Sequence, residues 1–64
     1  MKLKALILDD EIENIEHLCY WLEKYCAPHI EVVAVSQTIK DAIQNISDFQ
    51  PDVLFLDVEL ANGI

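Results

Sequence analysis

The chain has 64 residues, 53% of them hydrophobic, and twelve acids against four bases give a formal charge of −8. A chain this short is at most one domain and buries only about 60% of its unfolded surface, so its apolar richness suits a slice of a larger α/β core better than a self-sufficient miniprotein. The charge argues against nucleic acid or an anionic membrane as a direct partner of this segment, and favours cations or basic protein surfaces.

Residues 3 to 9, LKALILD, form a nearly unbroken apolar run of strand length, the pattern of a strand covered on both faces. From Ile12 to Cys26 the period becomes helical. Glu13, Glu16, His17, Tyr20, Glu23 and Lys24 share a polar arc, Ile15, Leu18, Leu22 and Cys26 form the opposite stripe, and Ile12, Cys19, Trp21 and Tyr25 flank it. Pro28 follows as a stop signal. Cys19 and Cys26 are expected to be reduced thiols, because seven helical residues separate their α-carbons by about 10 Å, too far for a disulfide.

Residues 30 to 35, IEVVAV, read as a second strand, and Thr38 with Asp41 three residues on predicts a helix cap before the pattern Ile39, Ala42, Ile43 and Ile46. Pro51 is expected to close that helix. DVLFLDV, residues 52 to 58, then repeats the first strand's design of an apolar run ending in an acid. The order strand, helix, strand, helix, strand with short connections predicts right-handed βαβ units and a parallel sheet with helices on its faces. No linker or repeat interrupts it, so residues 1 to 64 are read as one unit. The longest apolar runs hold about half a dozen residues against the roughly 20 of a membrane span. No signal-peptide pattern is present, so the expected location is cytoplasmic, without a membrane segment.

In open parallel sheets, function gathers at the carboxyl ends of the strands, and Asp9, Asp10 and Asp57 all fall there. Three carboxylates across one crevice suit a hard divalent ion, magnesium better than calcium, and a carboxylate beside magnesium can act as a nucleophile toward phosphorus. Singly, each acid has an ordinary reading: Asp10 could cap the helix from Ile12 and Asp57 could end a strand. His17 reads as an exposed helix residue and His29 as a loop residue. Tyr20 and Trp21 read as the margin of a core or as part of a docking surface.

LILDDE with Asp9 and Asp10, followed after two βα units by PDVLFLDVEL with Asp57, resembles the receiver domain of two-component response regulators over the whole chain. The resemblance implies a flavodoxin-like, CheY-like doubly wound fold with strand order 2-1-3-4-5, of which these residues are the first half, truncated to three strands and two helices. It implies Asp57 as phosphoryl acceptor and Asp10 and Asp57 as direct Mg²⁺ ligands. Asp9 is then an acid acting largely through water, and the backbone carbonyl of Glu59 a further ligand. A sensor histidine kinase is the implied phosphoryl donor, and the domain is regulatory rather than an enzyme in its own right. The family's usual proline four residues after the acceptor is replaced here by Ala61. Its hydroxyl residue after the fourth strand and its lysine after the fifth lie beyond Ile64, so these 64 residues are expected to accept phosphate poorly. DVEL, residues 57 to 60, looks most like receivers attached to LytTR-type DNA-binding domains, which would place any DNA contact elsewhere.

Two other classes remain open from the residues. One is a phosphorylation-independent interaction module, in particular a homodimer joined at the third strand around Val53, Phe55 and residues 58 to 64. The other is a magnesium-dependent phosphatase with an aspartate nucleophile, although such sites pair the nucleophile with an aspartate two residues on, where this chain has Glu59. Gly63 is the only glycine, so neither a dinucleotide turn nor a P-loop can be built.

Overall fold

Ala5, Leu6, Ile7 and Leu8 are all at most 3% exposed, which requires cover on both faces of the strand that holds them. The computed structural model, which describes residues 1–57, provides it. β1 (Leu3–Leu8), α1 (Ile12–Cys26), β2 (Ile30–Ser36), α2 (Ile39–Phe49) and β3 (Val53–Leu56) follow one another along the chain. The strands form one parallel sheet in the order β2-β1-β3. This is the truncated flavodoxin-like architecture that the sequence predicts.

Side chains alternate across β1 with the two-residue period of a strand. Ile7 points to α1 and packs with Ile15 and Leu22, joined by Leu18, Cys26, Val32 and Phe55. Leu6 and Leu8 point the other way, to Ala42 of α2, with Ala34 and Ile39 beside them. The stripe predicted for α1 is therefore the face it buries. Its aromatic flank behaves differently: Trp21 and Tyr25, like Tyr20 of the polar arc, are more than half exposed. They pack on one another instead of on the core, with the Trp21 and Tyr25 rings stacked at 5.0 Å and Tyr20 edge-on to Trp21 at 6.1 Å. The α2 stripe is also only partly used, because Ala42 is buried while Ile43 and Ile46 remain exposed.

Local chemistry sets the ends of α2. The Thr38 hydroxyl accepts the Asp41 N–H at 3.1 Å, as the cap signal predicts. At the far end Gln50 adopts a left-handed conformation, φ 47° and ψ 61°, and donates its N–H to the Ile46 carbonyl at 2.9 Å. Pro51 thus stops the helix through its neighbour, since the proline ring disfavours the helical region for the residue before it. β3 is shorter than predicted: Asp52 precedes it, exchanging hydrogen bonds with the Lys4 backbone at 2.7 and 2.8 Å, and position 58 lies outside the described residues. Among the described residues no helix is long and apolar enough to cross a membrane.

Candidate functional site

The acids that follow β1 and β3 are brought together by the sheet's own hydrogen bonding. A register shift between Ala5 and Leu6 sets Leu8 opposite Ser36. The Ser36 carbonyl then accepts the Asp9 N–H at 3.0 Å, and on the other side the Leu8 carbonyl accepts the Asp57 N–H at 2.9 Å. Parallel strands ending at the same level put their next residues side by side. Asp9, Asp10 and Asp57 each offer a carboxylate oxygen, and these oxygens lie within 4.8 Å of one another. Asp9 and Asp57 are half-buried, and Asp10 is exposed.

Asp9 has a second task. Its Oδ1 accepts the Glu11 N–H at 2.9 Å, tying the turn that leads into α1. The N-cap of α1 is Glu11, which makes no side-chain cap bond, so the reading of Asp10 as the helix cap does not hold. Carboxylates whose oxygens lie within 4.8 Å of one another repel by about 1 kcal/mol per pair even in bulk water, an opposition that a cation would offset. An all-oxygen donor set fits magnesium.

Beside the acids a cleft of about 190 Å³ opens between α1 and the strands, lined by Asp9 and Asp57 and by Asn14, Leu18, Phe55 and Leu56 among others. Asn14 was not singled out by the sequence, and its position on the first turn of α1, four residues after Asp10, is the signal that could have found it. A larger groove of about 340 Å³ lies at the other end of the sheet, lined by residues that include Lys2, Cys19, Glu23 and Glu31. It gathers no comparable donor set. Burial, helped by Glu23, raises the pKa of the Cys19 thiol, and both cysteines are free. The expected ligand carbonyl of Glu59 and the substituted Ala61 lie outside the described residues.

Among known proteins the chain is similar to the sensory transduction protein LytT of Bacillus cereus, 32% identical over 60 residues, which is 94% of this chain and 24% of that protein. LytT of Enterococcus faecalis is 33% identical over 60 residues, with the same coverage of each chain. A protein-glutamate methylesterase/protein-glutamine glutaminase 2 of Carboxydothermus hydrogenoformans is 32% identical over 59 residues, 92% of this chain and 16% of that protein. The chain thus spans about a quarter of the length of the LytT proteins that it matches. No family model matches it, and no solved structure matches at a significant level. The βαβαβ order, the acids at its strand ends and these similarities make the chain a homologue of two-component response regulators, in their receiver domain.

Proposed function

We propose that this segment receives a phosphoryl group on Asp57 from a sensor histidine kinase, with Mg²⁺, and so controls an output domain elsewhere in a longer regulator. The observation that carries this reading is the convergence of Asp9, Asp10 and Asp57 at the carboxyl ends of β1 and β3. In the transfer, an Asp57 carboxylate oxygen attacks phosphorus while the bond from phosphorus to the donor's imidazole nitrogen breaks, its electron pair returning to nitrogen. Asp10 and Asp57 would hold the metal directly, Asp9 through water, with the Glu59 carbonyl as a further ligand. Magnesium supplies positive charge that offsets the crowded carboxylates and the phosphoryl oxygens. Asp9 also holds the entry to α1 by accepting the Glu11 N–H, which keeps the acid pair oriented.

The segment is regulatory in this reading, and the esterase activity in one relative's name is not carried over from a match to 16% of that protein. A transcriptional output is the form favoured by DVEL, residues 57 to 60, which resembles receivers attached to LytTR-type DNA-binding domains. With a charge of −8, this segment would make no nucleic-acid contact itself. Acetyl phosphate with magnesium tests the chemistry: the longer regulator should be labelled at Asp57, and Asp57→Asn should stay folded and unlabelled. Label persisting in that variant would overturn the assignment. The 64 residues alone should label far less.

The 64-residue segment taken by itself is proposed to meet a second copy, whereas in a longer regulator the fourth strand of the implied order 2-1-3-4-5 would take that place. β3 pairs only with β1, so among the described residues its outer edge offers unpaired backbone groups, which invite another strand. Leu54 and Leu56 beside that edge are 43% and 46% exposed, and residues 53–56 carry no charge. In a molecule this acidic, an uncharged strand edge is where two copies meet with least repulsion.

A further inference from the structure

Carboxylates can hold a cation, but phosphoryl oxygens need hydrogen-bond donors. Among the described residues whose side chains line the cleft beside Asp9 and Asp57, Asn14 alone carries side-chain N–H groups, and none is a lysine or arginine. Its Nδ2 donates to Glu11 Oε2 at 3.5 Å, the outer limit of a hydrogen bond, so the amide gives up little by turning to a better acceptor. Asn14 is exposed, yet α1 fixes its Cα at the rim, because Ile15 next to it is 3% exposed and anchored against Ile7.

We propose that Asn14 is a phosphoryl-binding residue, its side-chain amide donating to an oxygen of the group carried on Asp57. This rests on the reading of Asp57 as acceptor. The amide is neutral, so it adds a donor without adding to the negative charge, and it lines the same cleft as Asp9 and Asp57 from the α1 side. No covalent step is involved.

Beryllofluoride, a tetrahedral mimic of a carboxylate-bound phosphoryl group, tests this on the longer regulator that carries this segment, with saturating Mg²⁺. Titrations followed by ¹⁵N resonances should show the Asn14 side-chain amide shifting on beryllofluoride and staying in place on Mg²⁺ alone. Asn14→Ala should weaken beryllofluoride binding by about five- to tenfold while the affinity for Mg²⁺ changes less than about twofold. Asn14→Asp should lose beryllofluoride and gain Mg²⁺ affinity. Alanine is the better helix former, so a weaker complex could not be ascribed to a melted helix. Unchanged beryllofluoride affinity in Asn14→Ala, or a side-chain amide that does not respond, would overturn the role of Asn14 and leave the acceptor reading standing. Failure of the unaltered longer regulator to bind beryllofluoride while it still binds Mg²⁺ would overturn both.

Discussion

Asp10 is the most exposed of the three acids and does not serve as the cap of α1, so its removal should leave the fold intact and expose what the cluster is for. In Asp10→Ala, the amide shifts that Mg²⁺ induces at Asp9, Asp10 and Asp57 in the unaltered chain should disappear, with thermal unfolding changed little. Shifts centred instead on Glu13 to Glu23 would mean that the cation only screens the acidic face of α1. Cys19 offers a check on packing at the same scale. Burial first, then the Glu23 charge, raises its pKa, so at pH 8 it should be alkylated more slowly than an unstructured thiol. Because the folded-state value is the higher one, the associated stability is present below the unfolded thiol's pKa and is lost as pH rises through the folded value.

The two ends of α2 show how single residues define an element. Thr38→Ala removes the acceptor of the Asp41 N–H and should cost about 1 kcal/mol, read from the urea midpoint at constant slope. Gln50 sits at φ 47°, where a Cβ is crowded, so Gln50→Gly should stabilise by about 0.5 kcal/mol once glycine's greater unfolded-state freedom is subtracted. α1 depends more on burial than on capping. Leu22 lies against Ile7 and Ile15, and Leu22→Ala should cost about 2–4 kcal/mol, enough to leave much of so small a domain unfolded.

At the scale of the whole molecule the open question is what meets β3. Sequence alternation suggests Val53 and Phe55 as the contact, but register with β1 turns Phe55 toward α1, beside Ile7, and leaves Leu54 and Leu56 outward. Phe55→Lys would therefore damage the core, and Leu54→Lys is the better probe. Sedimentation equilibrium over a concentration series should show dimers of the unaltered chain and monomers of Leu54→Lys. A folded monomer persisting at high micromolar concentration would defeat the pairing. Residues 58 to 64, included in the contact expected from sequence, lie outside the described residues.

The element order and the faces of α1 were legible in the sequence because they follow from local periodicity: apolar runs with an acid at the end, a stripe at Ile15, Leu18 and Leu22, a capping threonine. The same locality explains why Asp9, Asp10 and Asp57 could be proposed as partners. Their positions at strand ends are visible in the chain, and parallel order then leaves little choice about where those ends go. Tertiary structure alone decided the rest. The stacking of Trp21 on Tyr25, the exposure of Ile43 and the placing of Asn14 in the acid cleft depend on how α1 and α2 seat on the sheet, and helical period says which residues share a face without saying which part of it a neighbour covers. Likewise, the apolar run at residues 53–56 has both sides equally fit for burial, and only its register against Ile7 and Leu8 determines that Phe55 turns inward while Leu54 and Leu56 remain at the surface.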